Sequence, residues 1–129
     1  MKLCLDTNAY TLFKANHRPL VELLESADEV FVPTIVVGEL YAGFKIGSRT
    51  RQNMAELLVF FEAPGVSCVS VTLPVAERYG ELVLWLRKEG TPIPTNDVWI
   101  AAIAFEAGAR LVTYDKHFKN IAGLTIYSP

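Results

Sequence analysis

Short apolar runs alternate along the chain with longer stretches of helical periodicity, and this alternation limits the possible folds more than any other feature. Lys2–Leu5 reads as a strand at the very start, and Asp6-Thr7-Asn8 caps a helix reaching about Ala15. A second helix follows Pro19, with the leucines and Val21 of Leu20 to Ala27 at helical spacing. Val30–Val32 is a brief strand, and Pro33-Thr34 opens a helix through Ile46, with Thr34 as its cap. Beyond the Gly47-Ser48 turn a helix spans Arg49 to Glu62, stopped by Ala63-Pro64-Gly65. Ser67–Val71 reads as a strand, and Leu73 to Lys88 as a long helix ended by Gly90. Asn96 or Asp97 starts a helix that Gly108 ends; Arg110–Thr113 is a strand and Thr125–Tyr127 an edge strand. Strands and helices in this order predict an α/β fold, a central parallel sheet flanked by helices. Such sheets bind ligands at the carboxyl ends of their strands.

The 129 residues suit one domain, residues 1–129, and contain no repeat, linker or low-complexity tract. A hydrophobic content of 51% against 20% charged excludes a disordered chain. Mean hydropathy of +0.27 predicts apolar surface that a partner or second copy covers. The longest apolar run, Val98 to Phe105, falls far short of the roughly 20 residues a membrane span requires, so no membrane is expected. The first residues, one Lys and then an acid, do not resemble a signal peptide. Cys4 and Cys68 each lie in an apolar stretch and read as reduced core thiols of a cytoplasmic protein.

Aspartate occurs only at Asp6, Asp28, Asp97 and Asp115. Asp6 ends the first strand, Asp115 follows a later one, and Asp97 opens a helix after Thr91-Pro92-Ile93-Pro94. Each can be read as a helix cap or turn residue. Glu39 is different: Ile35, Glu39, Ala42 and Ile46 follow helical spacing, which puts a carboxylate on an apolar stripe. A salt bridge to a buried Arg would explain it, as would a bound cation. The four acids come from separate elements whose ends a parallel sheet brings together. Two carboxylates 4 Å apart repel by about 4 kcal/mol at an effective dielectric of 20, so several together need protons or a multivalent cation. Oxygen donors without His or Cys select a hard ion, Mg²⁺ or Mn²⁺. Such ions activate water and stabilise a phosphodiester transition state, which makes phosphoryl transfer the candidate chemistry.

Four motifs occur in order: Leu5-Asp6-Thr7-Asn8, Glu39-Leu40-Tyr41-Ala42-Gly43, Asn96-Asp97 before an Ala-rich helix, and Leu111-Val112-Thr113-Tyr114-Asp115-Lys116-His117-Phe118. Together, over essentially the whole chain, they resemble the PIN domain. The compact length and the Glu-Leu-Tyr-Ala-Gly form look most like the VapC ribonuclease toxins of toxin–antitoxin pairs. The resemblance implies that Asp6, Glu39, Asp97 and Asp115 form a catalytic metal site, with Asn8 and Thr113 as polar supports. It also implies RNA hydrolysis leaving 5′-phosphate and 3′-hydroxyl ends, and a small VapB-like antitoxin as partner. The high apolar content predicts a homodimer interface, and an acidic pocket invites inhibition by an Arg side chain from the antitoxin.

A net charge of −2 does not announce a nucleic-acid binder, yet Leu40 to Ala55 holds Lys45, Arg49 and Arg51 and no acid. These residues suit RNA phosphates, or form a solvated basic turn. His17 and His117 read as lone histidines without a general-base role, although His117 is placed to touch substrate. Tyr41, Phe44, Leu57, Phe60 and Phe61 exceed what one helix face needs and suit a partner helix or a dimer. Trp85 and Trp99 read as core. A haloacid-dehalogenase phosphatase needs a second Asp where Asn8 stands, and a receiver domain needs paired acids that are absent. The rival of a different class is a non-catalytic PIN-like module that binds protein or RNA.

Overall fold

The computed structural model describes residues 1–129. Strands β1 (Lys2–Leu5), β2 (Glu29–Pro33), β3 (Val66–Val69), β4 (Arg110–Val112) and β5 (Ile126–Tyr127) lie side by side in one sheet. Their order is β3-β2-β1-β4-β5, and every pair is parallel. The connections supply α1 (Thr7–Lys14), α2 (Arg18–Ser26), α3 (Thr34–Ile46), α4 (Thr50–Glu62), α5 (Leu73–Glu89) and α6 (Thr95–Ala107), and a 3₁₀ turn at Lys116–Asn120. The α/β fold expected from the alternation is the fold observed.

The central strand is β1, with Leu3, Cys4 and Leu5 fully buried. A strand covered on both faces needs an unbroken apolar run, not alternation, and this one has it. The α6 helix is buried in the same way, through Val98 and the run Ile100–Ala104, whose alanines let its backbone lie close to its neighbours. One stripe of α5, including Leu82 and Leu86, packs along α6, and Tyr79 stacks on Trp99 with ring centroids 3.7 Å apart. From β1 the chain builds outward through β2 and β3 on one side, then returns to add β4 and β5 on the other. The order reverses between β1 and β4, which opens a crevice at their carboxyl ends.

Several local expectations are corrected. Pro19 lies inside the first turn of α2, where its missing N–H costs nothing. Pro33, not Thr34, precedes the first turn of α3, and α6 begins at Thr95 behind Pro94. Neither Asn96 nor Asp97 is therefore a cap; Asp97 sits within the first turn. Strand β3 is shorter than expected and starts one residue earlier. Cys68 is exposed, not a core thiol, because β3 is the sheet edge and is thinly covered; Cys4 is buried as expected.

Gly65 sets β3 against β2. Its φ is +78°, its carbonyl accepts from the Val30 N–H at 2.8 Å, and an added Cβ would stand 2.6 Å from the Asp28 carbonyl oxygen. Gly65→Ala should destabilise the fold by about 1–3 kcal/mol, through strain and backbone contact. Gly80→Ala, in the open middle of α5 with nothing within 4 Å, should stabilise it by about 0.5–1 kcal/mol. Urea unfolding of both variants measures the contrast; equal effects would contradict this role for Gly65.

Candidate metal centre

Strand register builds the site. Leu5 stands opposite Val112 across β1 and β4, so the next residues, Asp6 and Thr113, emerge side by side at the carboxyl ends. The Thr113 hydroxyl donates to Asp6 Oδ2, while Asp6 Oδ1 accepts the Ala9 N–H at 2.8 Å and caps α1. Thr113 Oγ1 also accepts the Asp115 N–H at 3.0 Å, so one fully buried hydroxyl fixes both the Asp6 carboxylate and the start of the next loop. Asp115 caps the 3₁₀ turn by accepting the His117 N–H at 2.9 Å. For Asp6 and Asp115 the capping reading holds, and it orients each carboxylate in the crevice.

Asp97 arrives from the first turn of α6, where the helix dipole favours its charge. His117 Nδ1 lies 3.3 Å from Asp97 Oδ2 and 3.2 Å from Asp115 Oδ1. One donor atom from each of Asp97, Asp115 and His117 fits within a 4.8 Å cluster. His117 therefore stands against two of the acids, a neighbour that sequence reading did not assign to the site. The Asp115-Lys116-His117 turn bends the imidazole back onto two carboxylates, and the one readable signal was the i, i+2 spacing after a capping Asp.

Glu39 is half-buried and accepts the Thr7 hydroxyl at 2.7 Å; no Lys or Arg pairs with it. The salt-bridge explanation is therefore excluded. Its stripe is a flank of α3, since Val36 and Leu40 form the buried face while Ala42 and Ile46 are exposed. Thr7, the first residue of α1, is a support that sequence reading missed. Asn8, one residue on, is exposed and takes no part in these hydrogen bonds. Lys45, Arg49 and Arg51 lie apart from the acids, exposed around the α3–α4 turn.

The acids are coupled by charge. Burial raises the Asp6 pKa above the usual carboxylate value; the bonds from Thr113 and Ala9 oppose the rise, and Asp115 and Asp97 add to it. Burial also raises that of Asp97, against the bond from His117, with Asp115 and Glu39 adding repulsion. Asp6, Glu39, Asp97 and Asp115 thus feel one another across the crevice, each link running through Asp6 or Asp97. Four mutually repelling carboxylates, with one imidazole beside two of them, fit a divalent cation.

Residues 3–124 match the PIN-domain family model. This chain belongs to the PIN-domain family. Over 96% of its length it is 30% identical to Ribonuclease VapC2 of Haemophilus influenzae, covering 95% of that protein. Among solved structures, VapBC2 from Rickettsia felis bound to a promoter DNA fragment matches with a TM-score of 0.85 and 28% identity, covering 98% of both chains. VapBC-1 from nontypeable H. influenzae matches with a TM-score of 0.86 and 26% identity, over 98% of this chain and 97% of that one. This PIN domain is of the VapC type, as its Glu-Leu-Tyr-Ala-Gly motif suggested.

A raised carboxyl pKa fixes the sign of a pH effect. The fold favours neutral Asp6, so its contribution to stability is complete below the ordinary value of 3.8 and is lost as pH rises through the folded value. In chelator at pH 7, Asp6→Asn should therefore melt higher than wild type, with the advantage fading near pH 4, and Glu39→Gln should melt no lower than wild type. Thermal unfolding in chelator and in millimolar Mn²⁺ tests this; metal should raise the melting temperature of wild type more than that of either variant. A large loss of stability for Glu39→Gln in chelator would assign Glu39 to the scaffold.

Proposed function

We propose that this PIN domain is a divalent-metal-dependent endoribonuclease of the VapC type, the toxin of a toxin–antitoxin pair. The observation that carries the reading is the convergence of Asp6, Asp97, Asp115 and Glu39 at the β1–β4 switch, with no basic residue pairing any of these acids apart from His117. A non-catalytic module has no use for such repulsion, which costs stability unless a cation offsets it. The Haemophilus relative's name as a ribonuclease supports the same activity here.

Asp97, Asp115 and His117 would hold the ion, with Asp6 and Glu39 completing the negative field around it. The carboxylates favour Mg²⁺ or Mn²⁺, and the imidazole shifts the balance toward Mn²⁺. Bound there, the ion supplies an activated water and charge stabilisation for an in-line displacement at phosphorus. Thr113 keeps Asp6 and Asp115 in register, and the Thr7 hydroxyl holds the Glu39 carboxylate, whose charge Asp97 feels. Lys45, Arg49 and Arg51 serve as phosphate contacts. Arg49 occupies the N-cap position of α4 without a side-chain cap bond, and Arg51 lies in the first turn, where the helix dipole opposes positive charge.

The solved neighbours are VapBC complexes, which supports a small VapB-like antitoxin as partner. An Arg side chain from that partner suits the acidic crevice. Ile46, Leu58, Val59, Leu73 and Leu84 are more than half exposed, and supply apolar area for a homodimer and for the antitoxin. No helix is long and apolar enough to cross a membrane, and the reading places the protein in the cytoplasm with its RNA.

Purified protein should cleave RNA with Mn²⁺ or Mg²⁺ and lose activity in chelator. Thr113→Val keeps the shape but removes the hydroxyl that orients two carboxylates, and should lower activity about 10–100-fold, as loss of an outer-shell partner does. Cleavage that persists in chelator, or in Asp97→Asn at the wild-type rate, would defeat the assignment.

A further inference from the structure

A cavity of about 150 Å³ opens between α1, α3 and α4, lined by Tyr10, Thr11, Lys14, Phe44, Asn53 and Glu56. It shares no residue with the acidic cluster, but α1 and α3 both lead to it from there. Thr7 and Glu39, bonded to each other, precede Thr11 and Phe44 by four and five residues, about 6 and 7.5 Å along the two helix axes. The basic α3–α4 turn borders the cavity, because the Thr50 hydroxyl donates to the Phe44 carbonyl at 2.6 Å.

Tyr10 is 2% exposed, yet its hydroxyl is buried without a hydrogen-bond partner. Native folds rarely leave such a group unpaired, and a ligand that supplies the missing bond gains from it. Burial and then the nearby Glu56 carboxylate push the Tyr10 pKa up to about 12, so the phenol keeps its proton and stays a donor. Glu56 is held in place by Lys14 at 3.6 Å and by Gln52, whose amide donates at 3.2 Å. A carboxylate has about four lone-pair directions, so acceptor capacity remains.

These groups define a ligand. A cavity of about 150 Å³ holds a benzene-sized ring, which favours a pyrimidine over the fused rings of a purine. A carboxylate accepts from the exocyclic amino group of cytosine, whereas uracil presents a carbonyl oxygen there and is repelled. The Asn53 amide supplies a donor for the other acceptors on the base edge, and the Tyr10 hydroxyl does so once the cavity wall shifts to uncover it. Phe44 offers a stacking face, and Lys14 a cation for the phosphate.

We infer that this cavity receives one unpaired cytosine beside the scissile bond, and that Glu56 and Asn53 select it. The inference rests on the ribonuclease reading for its substrate, and a binding measurement separates the two. Labelled oligocytidylate, oligouridylate and oligoadenylate are titrated into the protein in chelator by fluorescence anisotropy, and the same RNAs are incubated with Mn²⁺ for cleavage. Wild type should bind oligocytidylate about fivefold or more tightly than the others, the smallest discrimination one good base contact gives. Asn53→Ala should weaken the preference, and Glu56→Gln should abolish it between cytosine and uracil, since a Gln amide can turn to face either base. The wild-type comparison needs no variant to fold, and thermal melts check those that are made.

Equal affinity for the three RNAs overturns the inference even if all are cleaved. So does a preference that survives in folded Glu56→Gln and Asn53→Ala, which would leave the cavity to a segment of a protein partner. A cytosine preference lost in those variants, with no RNA cleaved in Mn²⁺, would uphold the cavity and overturn the ribonuclease reading.

Discussion

The pairing of β1 with β4 places the two acids, Asp6 and Asp115, around which the crevice is built. Because Leu5 faces Val112, Asp6 and Thr113 leave the sheet together, and a single buried hydroxyl reaches both Asp6 and the backbone of Asp115. A slip of one residue in that register would turn Thr113 to the other face and separate these groups. The crossover through β2 and β3 then returns the chain along α6, which brings Asp97 over the same crevice. Fold and site therefore share one constraint, and the buried apolar residues of β1 and α6 hold it in place.

What the site stores is charge. Burial and mutual repulsion lift the Asp6 and Asp97 pKa values together, and hydrogen bonds from Thr113, the Ala9 N–H and His117 only partly offset the lift. Two of the carboxylates also cap local structure, Asp6 on α1 and Asp115 on the 3₁₀ turn. Capping explains how the acids stay ordered before a cation arrives. His117 has a compatible part: protonated, it pairs with Asp97 and Asp115, and neutral, it offers a nitrogen to a metal.

Legibility in the sequence followed the range of the interaction. Helix and strand positions were readable because apolar spacing and the terminators at Ala63-Pro64-Gly65, Gly90 and Gly108 act locally. The acids at Asp6 and Asp115 were readable because one directly follows a strand and the other lies three residues past one. Glu39 stood out as a carboxylate on an apolar stripe, although the stripe proved to be a flank and its partner Thr7 a hydroxyl from another helix. Such a contact depends on how α1 crosses α3, which no local pattern encodes. The approach of His117 to Asp97, across 20 residues of sequence, was hidden for the same reason. The exposure of Cys68 depended on strand order, since an apolar run at a sheet edge reads like one at its centre. Long-range order supplied what periodicity could not.

The central claim is that these carboxylates are held in a field only a cation relieves. Carboxyl-carbon NMR of the protein, titrated across acid pH in chelator and again with saturating Mg²⁺, reads that field residue by residue. In chelator Asp6 and Asp97 should titrate above the ordinary value of 3.8, and with Mg²⁺ both midpoints should fall as the ion stabilises the charged forms. Midpoints at or below that value in chelator and unmoved by Mg²⁺ would show a cluster already satisfied by the protein, and would contradict a metal centre at this crevice.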